Sequence, residues 1–106
     1  MAERLLETRL DCNGAPATLV ITGELDVASG PGLEHAVARV LDGQGEEFRL
    51  DLSAMVFMDS TGARSLVRVH HRLAAIGRRL VLVSPTPPVR RVIELLGLDV
   101  LIDIRD

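Results

Sequence analysis

Lysine is absent from this chain: all 12 basic residues are arginine. Schiff-base catalysis and a P-loop lysine are therefore excluded, because no ε-amine exists to perform either role. Tryptophan and tyrosine are absent too, and only two phenylalanines occur, which leaves almost nothing for nucleic-acid bases to stack on. A net charge of −3 argues further against a nucleic-acid footprint. The single cysteine, Cys12, excludes an internal disulfide and fits a reducing compartment; it reads as an ordinary residue of the first strand or turn. No apolar run reaches the ~18 residues of a membrane span, so no membrane association is expected. Met1-Ala2-Glu3-Arg4 lacks an apolar signal core, and a cytoplasmic location is expected.

What is present suits one ordinary domain spanning 1–106. Its 106 residues are 47% apolar and 25% charged, as in globular proteins generally. A chain this short buries about 65% of its unfolded surface, enough for one core.

Apolar periodicity switches between 2 and 3.6 along the whole length. Leu5 to Asp11 reads as a first strand closed by the Asn13-Gly14 turn signal, and Ala17 to Leu25 as its antiparallel hairpin partner. Ser29-Gly30-Pro31 opens a helix, with Ser29 or a neighbour as cap, the stripe Leu33, Val37, Val40 and Leu41, and Gly43 as its end. From Phe48 to Ala54, apolar Phe48, Leu50 and Leu52 alternate with Arg49, Asp51 and Ser53, the pattern of a sheet covered mainly on one face. A second helix is predicted from about Thr61 to Ile76, with Leu66, Val67, His70, Leu73 and Ala74 inward and Gly77 as C-cap. Leu80 to Val83 is a continuous apolar run, read as a central strand. Thr86-Pro87 starts a third helix with the stripe Val89, Val92, Ile93 and Leu96, ended by Gly97 and the capping contact of Leu98; Val100 to Ile104 reads as a last strand. The order β-β-α-β-α-β-α-β implies an α/β domain with a mixed sheet of about five strands and helices mainly on one face.

Two strand-to-helix loops attract attention, because α/β sheets place function at the carboxyl ends of their strands. One is Gly23-Glu24-Leu25-Asp26 and the other Asp59-Ser60-Thr61-Gly62. If their strands are neighbours, the two loops share a rim. Ser60 is expected at the N-cap of the second helix, exposed beside its positive dipole end. Asp59 could cap the same turn or orient the Ser60 hydroxyl. Glu24 and Asp26 read equally as loop-stabilising acceptors and as partner contacts. Thr61 reads as first-turn structure, and Gly62 as a residue permitting tight packing. Arg64, Arg68 and Arg72 follow at i, i+4 and i+8, a basic stripe that is a solvated face by default and a docking surface for an acidic partner beside Ser60.

Enzyme chemistry finds no constellation. No Gly-x-Ser-x-Gly elbow is present, and no histidine has an evident route to Ser60. No metal site is expected either: His70 and His71 are adjacent and diverge on a helix, and His35 has no companion at ligand spacing. No glycine-rich phosphate loop supports a nucleotide or other cofactor.

The ordered set of segments resembles the STAS domain of the anti-sigma factor antagonist family. Gly-Glu-Leu-Asp at 23–26, Leu-Asp-Leu-Ser at 50–53, Phe-Met-Asp-Ser-Thr-Gly at 57–62, Leu-Val-Leu-Val-Ser at 80–84 and Val-Ile-Glu-Leu-Leu-Gly-Leu at 92–98 carry it. The resemblance covers about Leu5 to Ile104. It implies phosphorylation of Ser60 by an anti-sigma factor with serine kinase activity. Unphosphorylated, such a protein binds the anti-sigma factor and frees sigma factor; phosphorylation ends that binding, and a serine phosphatase restores it. Gly23, Glu24, Asp26, Asp59, Ser60, Thr61, Gly62, Arg64 and Arg68 would then form the partner surface. Ala63 departs from the pattern, since many members carry a larger apolar residue there. The alternative is a constitutive STAS scaffold or an accessory subunit of a stress-signalling or transport complex, without phosphorylation. A monomer or a weak homodimer is expected, the latter through the β-rich N-terminal edge.

Overall fold

Strict alternation of buried and partly exposed residues over Thr18–Leu25 makes β2, and β1, Glu7–Asp11, pairs with it antiparallel from Glu7 opposite Thr22 to Asp11 opposite Thr18. A computed structural model describes residues 6–11, 18–41 and 46–106; Cys12, the Asn13-Gly14 turn and Gly43 fall outside the described residues. The remaining elements are α1 (Gly30–Val40), β3 (Glu47–Met58), α2 (Ser60–Ala74), β4 (Arg79–Val83), α3 (Pro87–Leu95), α4 (Leu98–Leu101) and β5 (Asp103–Arg105).

The sheet has five strands in the order β1-β2-β3-β4-β5, with every pair after the hairpin parallel. The mixed α/β architecture is thus the expected one. The middle strand is β3, however, and β4 lies between it and β5. In register, Leu10, Leu19, Leu50, Leu82 and Ile104 form one row across the sheet. That face shares a single apolar core with Leu33 and Val37 of α1, Leu66, Val69 and Leu73 of α2, Val89 and Ile93 of α3, and Leu98 of α4.

Two expectations change within the helices. On α2 the inward side chains are Ala63, Ser65, Leu66, Val69 and Leu73, whereas Ala74 is exposed and Val67 and His70 are half-buried. Close crossing with α1 sets that face: a Cβ on Gly30 would lie 2.2 Å from Ser65 Oγ. At the C-terminal end, Gly97 takes φ 70 and a short helix follows, so the run read as a strand from Val100 divides into α4 and the three-residue β5. The continuous apolar stretch Val100-Leu101-Ile102 carries no alternation that could tell the two apart. Leu96, assigned to the α3 stripe, is 46% exposed. The C-terminal end of α2 follows the expected scheme, with Gly77 at φ 74 and the Arg78 amide donating to Leu73 O at 2.9 Å.

The opposite face of the sheet carries an ion network centred on Glu47. Its carboxylate accepts from Arg105 at 2.7 and 3.1 Å, from Arg79 at 3.1 Å and from Arg49 at 3.2 Å. The side chain is 18% exposed. Hydrogen bonds from Arg105, then those from Arg49 and Arg79, outweigh partial burial and hold the carboxyl at about 2, below its ordinary 4.5. A depressed folded-state value stabilises the fold fully above about pH 4.5, and this contribution is lost as pH falls toward about 2. Glu47→Gln is expected to flatten the acid limb of stability in that window. Urea unfolding at stepped pH measures it, and identical slopes for variant and wild type would refute the assignment.

Candidate functional site

Both loops of interest leave the same rim. Leu25, the last residue of β2, pairs with Met58, the last of β3, so the chain turns into α1 and α2 from adjacent points. Two register shifts place one extra β3 residue each between the pairs Val20–Asp51 and Thr22–Ala54, and between Gly23–Met55 and Glu24–Phe57. Such bulges bend a strand and strengthen its twist. Gly23 sits buried at the second of them with φ 108, a conformation other residues rarely adopt. Its part is to shape the strand beneath the rim.

The β2–α1 loop is closed by Asp26 and Ser29. The Asp26 carboxylate accepts from the amides of Ala28 and Ser29, both at 3.0 Å. The Ser29 hydroxyl accepts from the Asp26 amide at 3.0 Å and donates to Glu24 O at 2.9 Å. Ser29 occupies the N-cap of α1, yet its hydroxyl faces back into the loop and makes no cap bond. The loop-stabilising reading thus holds for Asp26.

At the β3–α2 junction the N-cap is Asp59, not Ser60. Asp59 is extended, and its Oδ1 accepts from the Gly62 amide at 2.7 Å. A carboxylate reaches the third amide of the helix and complements the positive end of the dipole. Ser60 is consequently the first residue inside the helix, exposed, as is Thr61. The Ser60 hydroxyl makes no hydrogen bond among the described residues. Asp59→Ala should remove the cap and cost about 1 kcal/mol, which thermal melts would register as a drop of roughly 4–8 °C; an unchanged melting temperature would show the cap to be idle.

Gly62 locks this turn against the first loop. A Cβ there would stand 2.1 Å from Leu25 O and 2.6 Å from Leu25 C, so only glycine allows α2 to approach so closely. The Asp59 amide donates to the same Leu25 carbonyl at 3.3 Å. Because β2 and β3 are neighbours, the condition for a shared rim is met, and Gly62 is the residue that fuses the two loops.

On its other flank Ser60 opens onto a groove of about 210 Å³ lined by Ser60, Ala63, Arg64, Val67, Leu96 and Leu98. The small side chain of Ala63 lies within that lining. Beyond it the α3–α4 corner exposes Leu95 (73%), Leu96 and Val100 (91%). This apolar wall escaped the sequence reading, which assigned Leu96 to a buried stripe and Val100 to a strand; the leucine on each side of Gly97 was the available signal. The arginine stripe divides: Arg64 lines the groove, whereas Arg68 turns to Glu34 of α1 at 3.4 Å. The histidine pair stands apart, the rings of half-buried His70 and exposed His71 5.2 Å from each other, and among the described residues no group of three or more His, Cys, Asp or Glu could hold a metal. No helix among the described residues is long and apolar enough to cross a membrane.

Comparison with known proteins agrees with this geometry. The STAS domain family model matches residues 7–106. The anti-sigma-F factor antagonist RsfB of Mycobacterium tuberculosis is 33% identical over 92 residues, covering 87% of this chain and 74% of RsfB. An anti-sigma factor antagonist from Mycobacterium paratuberculosis superposes with a TM-score of 0.80 at 27% identity, covering 94% of this chain and 85% of that one. The Bacillus cell fate determinant SpoIIAA shares the fold in its unphosphorylated form (TM-score 0.71) and its phosphorylated form (TM-score 0.63), each at 24% identity over 92% of this chain and 87% or 90% of the other. The rim, the exposed serine beside the Asp59 cap and these matches together define the chain: it belongs to the STAS domain family, among the anti-sigma factor antagonists.

Proposed function

We propose that this protein is a non-enzymatic, cytoplasmic regulator that docks an anti-sigma factor at the Ser60 rim and is released when that serine is phosphorylated. One observation carries the reading: Asp59 does the capping, which leaves an exposed hydroxyl at the start of α2 without a hydrogen-bond partner among the described residues. The anti-sigma factor itself would be the serine kinase, moving the γ-phosphoryl of ATP onto Ser60 Oγ as the β–γ bridging bond breaks, with the hydroxyl proton passing to a kinase base and ADP leaving. A serine phosphatase would return the free hydroxyl by adding water across the ester. SpoIIAA, which shares the fold, has been solved with and without phosphate, which is consistent with such a cycle.

The energetics favour a switch in the interface over a switch in the fold. Phosphoserine brings about −1.5 to −2 charges. The helix terminus stabilises an exposed anion by roughly 0.3–1 kcal/mol, and Asp59 opposes it by repulsion of similar size. A partner that buries the dianion without a counter-charge, in contrast, loses several kcal/mol. Glu24, Asp26, Thr61 and Arg68 extend the same docking face, Gly23 and Gly62 shape it from below, and the protein works as a monomer or weak homodimer.

The test is the intact mass of the full chain after incubation with ATP and the anti-sigma factor, wild type beside Ser60→Ala. A gain of one phosphate that the variant lacks supports the reading. No gain with any such kinase leaves the constitutive scaffold as the better description.

A further inference from the structure

Arg64 stands four residues after Ser60 on α2, and of the six residues lining their common groove it is the only charged one. The other members of the basic stripe are placed differently. Arg68 is tied to Glu34 at 3.4 Å, and Arg72 lies in the last turn of the helix, far from Ser60. Arg64 is exposed and makes no hydrogen bond or ion pair among the described residues. Ala63, Val67, Leu96 and Leu98 complete an apolar lining around it.

We infer that Arg64 is the internal receptor for a phosphate carried on Ser60. This inference rests on the phosphorylation proposed above and adds the fate of the phosphate once it is attached. Side chains at i and i+4 of a helix are neighbours, and the favourable order is anion first and cation second, which is the order of Ser60 and Arg64. The planar guanidinium matches phosphate oxygens two at a time. Apolar walls reduce the screening of the pair by water. The carboxylates nearby do not compete for Arg64: Asp59 is engaged by the Gly62 amide and Asp26 by its own loop, and Glu94 of α3 and Asp99 of α4 are exposed outside the lining.

Phosphorylation then changes two charges at the docking surface. It adds a dianion and withdraws the Arg64 cation into an internal pair. A partner presenting an acidic group to Arg64 loses an attraction at the moment it meets a repulsion. The phosphatase must in turn displace Arg64 before it can reach the ester.

The experiment places phosphoserine at position 60 during translation of the full chain, so that no kinase is needed. The second ionisation of the phosphate is then followed by phosphorus NMR in the otherwise wild-type chain, Arg64→Gln, Arg64→Lys and Arg68→Gln. A nearby cation favours the dianion and lowers this pKa from its ordinary value of about 6. Arg64→Gln should raise it by about 0.3 or more, Arg64→Lys should fall between, and Arg68→Gln should match the wild type. Equal midpoints in all four chains would overturn the inference while leaving the switch itself intact. Conversely, a clear Arg64 effect alongside no kinase transfer to Ser60 would uphold the pair and sink the switch. All three substituted positions are solvent-exposed, and amide spectra verify that each chain is folded.

Discussion

Gly62→Ala is expected to destabilise the protein by about 2–3 kcal/mol, as overpacking against an unyielding neighbour does, and to lower the melting temperature by roughly 10–20 °C. The new methyl would be aimed at backbone: Leu25 O at 2.1 Å, Leu25 C at 2.6 Å and Asp26 N at 3.0 Å. No side-chain rotamer can relieve such a contact, so either α2 lifts from the rim or the β2–α1 loop gives way. The Asp59–Gly62 cap and the Asp59–Leu25 hydrogen bond both cross this junction and would loosen with it. Gly32→Ala is the matched control, because nothing lies within 4 Å of its Cβ position on α1. There alanine should be neutral or stabilising by up to about 1 kcal/mol, through better helix propensity and a less free unfolded chain. Thermal melts of the two variants suffice, and a Gly62→Ala protein that melts with wild type would disprove the close approach.

Ser60→Asp should have its large effect on binding. An aspartate in the first turn of α2 is favourably placed toward the helix dipole, and the melting temperature should move by no more than a few degrees. Buried against a partner, the same carboxylate must be desolvated and stands beside Asp59. Roughly 3 kcal/mol of lost affinity is expected, about a 100-fold rise in Kd for the anti-sigma factor. Titration calorimetry with wild type, Ser60→Asp and Ser60→Ala separates charge from the loss of the hydroxyl. Ser60→Ala should bind within a few-fold of wild type; equal affinity for all three would remove Ser60 from the interface.

Much of this arrangement is legible in the residues, and the gaps have physical causes. The alternation Phe48 to Ser53 reveals a one-sided sheet because both faces of β3 obey period 2 there. It fails beyond Leu52 because the two bulges break the period, so the strand runs to Met58 and Val56 and Phe57 become partly exposed. The choice between Asp59 and Ser60 as cap does not follow from residue type, since both are strong cap formers; the structure decides it, with the Gly62 amide donating to Asp59 Oδ1 at 2.7 Å. On α2, Val69 displaces Ala74 from the inner face because α1 crosses near Gly30 and Ser65 and fixes the helix's rotation. The Glu47 network was illegible altogether. Its partners Arg79 and Arg105 are 32 and 58 residues away, and only strand register brings them together.

That network and the Ser60 rim stand at opposite ends of β3, whose 12 residues begin at Glu47 and end at Met58. Eleven steps of an extended chain span roughly 35 Å, well beyond the ~10 Å past which substitutions without shared partners add independently. Tolerance of acid and heat can therefore drift at one end while recognition is held constant at the other. In a lineage moving to a harsher habitat, the arginines around Glu47 could be rewired without requiring a matching change in the partner.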